Sequence, residues 1–167
     1  NKAAVVKYLV AGKELQHSNG PESYTSDHML EELYQRVCQT AYHPRLDVLS
    51  LDYFTHRTSE ADQVKVLKYH AEKKALASLL HQGALDLAMR VNFKVCADCH
   101  LFLTHAAQLL GRPIQVLEPS RRHVFCDGGC ACSCGMVKVR KRQRDGDAES
   151  SSSNGRTVDC SELSLRE

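Results

Sequence analysis

The 167-residue sequence has no apolar run near the ~20 residues that a bilayer-spanning helix needs, and no stretch of it reads as a signal peptide. No membrane partner is therefore expected. It also lacks a strong charge of one sign: its formal net charge is +2, so bulk electrostatics does not announce a nucleic-acid binder. Any such partner must be argued from sites. No internal repeat is visible, so a repeat array within these residues is excluded. With 43% hydrophobic and 25% charged residues the composition is globular. A chain this long buries enough apolar surface to fold without metal or disulfide staples. The opening "NKAAVV" carries no initiator methionine, so the chain is expected to be a fragment whose targeting segment lies upstream.

Tryptophan is absent as well, whereas cysteine is abundant, with eight residues. Eight cysteines would suggest a disulfide scaffold in a small secreted protein. Here six of them fall between Cys96 and Cys134, five of these in the tight spacings C-x-x-C (Cys96, Cys99) and C-x-C-x-C (Cys130, Cys132, Cys134). Such crowding favours metal over bridges.

Along the chain, "VVKYLVAGKEL" alternates weakly and predicts a strand ending at Gly12. The turn-rich "HSNGPESYTSD" follows. Ser26 is a candidate cap for a helix whose apolar positions Leu30, Leu33, Tyr34, Val37 and Ala41 keep helical spacing, and that helix should end before Pro44. "RLDVLSLDYF" (Arg45 to Phe54) predicts a strand or hairpin arm, and helical pattern returns from Ser59 through Leu80. "RVNFKV" (Arg90 to Val95) reads as a short strand running into the C-x-x-C. The helix "CHLFLTHAAQLLG" comes next, with Gly111 as its C-cap, and then the strands "PIQVLEP" and "RHVFC". This order suggests an α/β layered domain with helices covering a sheet. From Asp145 onward the chain is polar and serine-rich, and disorder is expected there.

"YHAEKKALASLL", Tyr69 to Leu80, places an imidazole and a carboxylate at the head of an alanine- and leucine-rich helix. A borderline-soft ion such as zinc takes imidazole nitrogen and thiolate sulfur, and a catalytic site supplies three protein ligands with the fourth position left for water. His70, Cys96 and Cys99 are three such ligands. Because the C-x-x-C lies where a strand feeds a helix, both sulfurs can point at one ion, and the positive helix N-terminus favours thiolates. Glu72 then has the work of taking a proton from water whose pKa the ion lowers to about 7. Taken alone, His-x-Glu is usually an exposed pair, and C-x-x-C serves equally as a redox pair or half a structural site. Their joint occurrence, in this order and at helix heads, is the arrangement of zinc-dependent nucleobase deaminases. The usual form has a proline before the first cysteine, where this chain has Val95.

With these stretches, together with "NFKVCADCHLFLTHAAQLLGRPIQVLEPSRRHVF" and "DGGCACSCG", the sequence resembles the DYW-type cytidine deaminase domain that ends many pentatricopeptide-repeat proteins. The likeness covers most of Lys7 to Gly135. The resemblance implies a cytidine-deaminase-like α/β fold with a central mixed sheet covered by helices. It implies two zinc ions: a catalytic one on His70, Cys96 and Cys99 with Glu72 as proton shuttle, and a structural one on His100, His123, Cys130 and Cys132. Matching "CSCG" instead selects Cys132 and Cys134, so Cys134 stays open as a substitute. Plant members end in Asp-Tyr-Trp, whereas this chain has "GMVKVRKRQ" after its last clustered cysteine, which suggests a non-plant or divergent member.

On this likeness, residues 1–53 form an N-terminal connector or gating region, 54–137 the deaminase core with the structural zinc segment, and 138–167 a basic run and tail. The implied enzyme is a hydrolase acting on the C–N bond of a cyclic amidine, converting cytidine to uridine in single-stranded organellar RNA. Upstream pentatricopeptide repeats choose the site in cis, accessory editing proteins are further partners, and the mitochondrion is the expected compartment, with the chloroplast as alternative. A free nucleoside deaminase and a non-catalytic zinc module of an editing complex are the competing readings. Cys38, Cys126 and His105 read as structural, Tyr69 and Phe125 as base-stacking or core residues. "KVRKRQR" reads as a solvated segment or a phosphate contact.

Overall fold

The computed structural model describes residues 3–19, 28–49 and 58–132, the last three of these by their backbone. It is a mixed α/β fold of the cytidine-deaminase type, in which one six-stranded sheet runs in the order β2-β1-β3-β4-β5-β6. β1 (Val5–Val10) turns back into β2 (Lys13–Ser18) through Ala11 and Gly12. Both turn residues have positive φ, 49° and 78°, the mirror-image turn that matches the twist of paired strands. β1 also pairs antiparallel with β3 (Leu87–Val91), and β3 pairs parallel with β4 (Ile114–Leu117). β5 (Arg122–Cys126) lies antiparallel to β4, and β6 (Gly129–Cys132) antiparallel to β5.

A parallel β3–β4 pair needs a crossover, and α4 (Ala97–Leu110) supplies it. α3 (Ala71–His81) packs on β1, β2 and β3, and α4 on β5 and β6. α1 (His28–Cys38) lies over α3 and α4 and completes the core. Strand alternation sends Val6, Tyr8, Leu87, Met89, Val91, Ile114, Val116 and Phe125 into that core. They meet Leu30, Leu33, Tyr34 and Val37 from α1, and Phe102, Leu103 and Ala106 from α4. Each such large apolar side chain contributes about 1.5–3 kcal/mol by leaving water. The residues expected as a connector thus supply two strands and a helix to the same sheet and core.

Several sequence expectations need correction. The first strand is followed by a second, β2, whose polar "KELQHS" shows no apolar alternation and which is held by its register with β1. Leu46–Val48 is one turn of 3-10 helix and not a strand, because the Arg45 N–H is tied to the Asp98 carboxylate 2.9 Å away and the next residues wind over the head of α4. The strand before the C-x-x-C ends at Val91, leaving 92–95 as a loop. The helical run from Ser59 is two helices, α2 (Glu60–Lys68), capped by the Ser59 hydroxyl, and α3. Ala41 lies past the end of α1 and is exposed. Gly111 does close α4, at φ 59°, the left-handed conformation that glycine tolerates. The Ser26 cap, the stretch 50–54 and everything beyond 132 lie outside the described residues.

Candidate metal centre and active site

The break between α2 and α3 falls on Tyr69 and His70. His70 is extended (φ −64°, ψ 142°) and occupies the N-cap position of α3, yet its side chain makes no capping bond. The first free N–H of the helix, at Ala71, donates instead to the Asn19 side chain, 2.8 Å away, which leaves the imidazole available. On the other side, β3 and the loop after it deliver Cys96 in extended conformation as the N-cap of α4, with Cys99 in the first turn. The Cys99 N–H donates to the Cys96 sulfur at 3.3 Å. Two helix heads therefore meet, and their side chains converge.

His70 Nδ1 lies 3.3 Å from Cys99 Sγ and 3.5 Å from Cys96 Sγ. The three donor atoms lie within 4.8 Å of one another, and both cysteines are free thiols. A tetrahedral zinc with bonds of about 2.0–2.3 Å requires nitrogen–sulfur edges of about 3.5 Å. The spacing and the donor set fit such an ion. Hydrogen bonding from Cys99 and from His70 holds the Cys96 thiol down to about 4 despite its burial, so thiolate is favoured there. Burial works against a charged His70, but the neighbouring Cys96 and Glu72 charges outweigh it and raise the imidazole. Cys99 is pushed well up by its burial and by the Cys96 and Glu72 charges.

Glu72 stands two residues past His70, in the first turn of α3, and is 1% exposed. Neither of its carboxylate oxygens has a hydrogen-bond partner among the described residues. Burial, and then the Cys96 charge, raises its pKa. A buried carboxyl without a partner costs free energy, so a protein that keeps one has a use for it.

Next to Glu72, Lys73 is fully buried in a polar cluster. Its ammonium and the Asp98 carboxylate are 2.6 Å apart, with both side chains 0% exposed. Lys73 also donates to the Leu67 carbonyl at 2.9 Å, and Asp98 accepts from the Tyr42 hydroxyl at 2.9 Å. The ammonium is 4.9 Å from the Phe102 ring centroid and 5.4 Å from that of Tyr34. Lysine is the residue type most often left in water, and its partner is 25 positions away, so no local signal announces this pair.

A second cluster lies at the far side of α4. The rings of His100 and His123, both buried, are 5.4 Å apart and nearly perpendicular. Glu118 Oε1 accepts from His123 Nε2 at 2.9 Å, and the buried Nδ1 has no hydrogen-bond partner among the described residues. A carboxylate on one ring nitrogen with the other left open is the usual preparation of a metal-binding histidine. The same Glu118 oxygen accepts from the Val95 N–H at 2.8 Å, one residue before Cys96. Strand register pairs position 132 with His123 and position 130 with Phe125, so Cys130 and Cys132 occupy the face of the sheet that carries His123. Cys134 and the basic run lie outside the described residues.

Of the other candidates, His105 tethers α4 to the end of α1 through the Thr40 hydroxyl at 3.1 Å, a structural role. Phe125 is fully buried against His100 and belongs to the core, whereas Tyr69 is half-buried beside Lys68. Cys38 is a half-buried free thiol packed on the core. Cys126, expected as a plain core thiol, is half-buried at the end of β5 and disulfide-bonded. A groove of about 730 Å³ runs along β1, β3, β4 and β5, lined by Lys7, Leu9, Arg90, Gln115 and Leu117, and contains none of the metal-site candidates. No helix among the described residues is long and apolar enough to cross a membrane.

Residues 47–136 match the model of the DYW family of nucleic acid deaminases. The chain belongs to this family. A pentatricopeptide repeat-containing protein of Arabidopsis thaliana is 34% identical over 76% of this chain, and a second, putative one is 36% identical over 61%. A third, named as mitochondrial, is 31% identical over 66%. The matches cover 21%, 13% and 15% of those proteins, so this DYW chain spans less than a quarter of the length of the curated relatives it matches. The His/Cys/Cys cluster and the buried carboxyl beside it therefore lie in a member of a nucleic acid deaminase family.

Proposed function

We propose that this DYW chain is a zinc-dependent cytidine deaminase that converts C to U in single-stranded RNA. It acts as one domain of a longer pentatricopeptide-repeat protein that edits organellar transcripts, in the mitochondrion or alternatively the chloroplast. The observation that carries this reading is the convergence of His70, Cys96 and Cys99 next to a buried carboxyl, Glu72, whose oxygens make no hydrogen bond among the described residues. A purely structural metal site has no use for that carboxyl.

His70 through Nδ1 and Cys96 and Cys99 through sulfur would hold the zinc. When bound there, it supplies a Lewis acid that brings the pKa of water near 7 and leaves one position open. Glu72 takes a proton from the attacking water and delivers it to N3 of the cytosine. It then serves the departing amine, so that water replaces ammonia at C4 and uracil results. Its raised pKa suits a group that must accept and release a proton near neutrality. Burial at the helix heads keeps bulk water from competing for that proton. His100 and His123, with Cys130 and Cys132 or with Cys134 as substitute, would hold a second, structural zinc. Repeats upstream of the N-terminal segment would choose the RNA site, so the isolated chain should edit poorly and without selectivity.

Metal analysis of the purified chain and editing of a reporter RNA by the chain joined to its repeats test this reading together. Two zinc ions and uridine at the targeted position are expected. Turnover of free cytidine as fast as of a cytidine-bearing oligonucleotide would make the chain a nucleoside deaminase. Metal binding without any turnover, even when repeats are joined, would make it a non-catalytic module.

A further inference from the structure

The metal-ligand candidates meet where the heads of two helices, α3 and α4, come together. Lys73 lies three residues after His70 and next to Glu72, and Asp98 lies between Cys96 and Cys99. Their ion pair, 2.6 Å long and closed to solvent, joins the first turn of α3 to the first turn of α4. Each end is fixed further. The ammonium is held by the Leu67 carbonyl, the last buried residue of α2, while the carboxylate accepts from the Tyr42 hydroxyl and the Arg45 N–H, both at 2.9 Å. Three rings, of Tyr34, Tyr42 and Phe102, close around the ammonium within 5.7 Å of their centroids.

A buried ion pair is a poor source of stability, because desolvation offsets the attraction and a well-packed apolar pair of similar volume often does as well. It does, however, impose a direction and a separation that apolar contacts do not. We infer that Lys73 and Asp98 are positioning residues: their ion pair sets the distance between the two helix heads, and with it the convergence of His70 and Glu72 on Cys96 and Cys99. The inference rests on the reading of that cluster as a metal site. Neither residue touches metal or substrate. The pair acts through the backbone of the two first turns, as groups surrounding a metal site commonly do.

The test compares Asp98→Asn and the double variant Lys73→Met/Asp98→Leu with the wild-type full chain and with Cys99→Ser as the site-dead reference. Three readouts are taken: thermal midpoint, metal affinity of the cluster by chelator competition, and the thiolate-to-cobalt absorption bands of the Co(II)-loaded chain. The double variant strands the Tyr42 hydroxyl and the Arg45 N–H and should melt below the wild type, and its folded form should bind metal at the cluster about 10–100-fold more weakly, with shifted cobalt bands. Asp98→Asn keeps an acceptor for Tyr42 and Arg45, and should show the same metal defect if the double variant fails to fold. Wild-type affinity and cobalt bands in either folded variant would overturn the inference, leaving the pair a core filler. A wild-type chain no better than Cys99→Ser would overturn the functional reading itself, and the positioning role with it.

Discussion

The two histidine-containing clusters, which meet the chain at the neighbouring residues Val95 and Cys96, are built from similar residues and finished differently. At the helix heads, His70, Cys96 and Cys99 are accompanied by Glu72, whose oxygens have no partner. At the sheet, His100 and His123 are accompanied by Glu118, whose Oε1 serves the His123 ring and the Val95 N–H together. In one region the carboxyl oxygens make no hydrogen bond among the described residues; in the other a single carboxyl oxygen serves two donors. A group with all its bonds made stabilises a fold, and a group left without them is free to act on something else. On the proposed function, this contrast corresponds to chemistry in the first region and support in the second.

The comparison breaks most visibly at Glu72. Glu72→Ala should keep the metal content of the wild type while uridine formation in a reporter RNA falls by about 10²–10⁴-fold. Persistent turnover in that variant would remove the carboxyl from the reaction. Glu118→Ala should do the reverse and damage the fold, since it strands two buried donors at about 1–3 kcal/mol each; chemical denaturation measures the loss, and an unchanged midpoint would deny Glu118 its supporting role. In the metal-free chain, Glu72→Leu should gain about 1–3 kcal/mol, because it removes a buried polar group that nothing satisfies. A loss there would mean that Glu72 has a partner after all.

The smallest expected effect is in the pH dependence of stability of the metal-free chain. Burial, then the neighbouring His123, holds His100 at about 4, below its ordinary value of 6.5. The unfolded chain therefore binds the extra proton between those values, and stability should rise with pH across that window. His70 is shifted the other way, so its contribution is complete below 6.5 and is lost as pH climbs through its raised value. Melting curves of His100→Phe should show a shallower acid limb, since His17, His105 and the Cys96 thiol are also held below their ordinary values, and keep the alkaline one. Loss of both limbs together would show that the two regions do not titrate independently.

The site was legible where its signal is local. His-x-Glu and C-x-x-C are short patterns, and the strand-to-helix and helix-break contexts they need could be read a few residues to either side. The fold was legible where apolar periodicity is strong, as in α1 and α4. It failed at β2, whose "KELQHS" faces solvent along much of its length, and at β6, four residues of glycine, alanine and cysteine paired only through β5. It failed also at Lys73 and Lys74, since charged residues on a helix read as its wet face. A signal was present there in the company they keep: Ala71, Ala75, Leu76, Ala77 and Leu79 leave α3 no side to expose. The partners that make this burial tolerable, Asp98 for one and the Ser18 carbonyl for the other, are known only once the chain is folded.

Had α2 run into α3 as one continuous rod, residues 70 and 72 would project about 200° apart around its axis, and no shared ion or water could face both. The extended backbone at His70 removes that obstacle by taking the imidazole off the helix and leaving the carboxyl on it. A pattern that a sequence search treats as two letters in a row is, in three dimensions, a hinge between two directions of chain, and its chemistry depends on the helix being interrupted there.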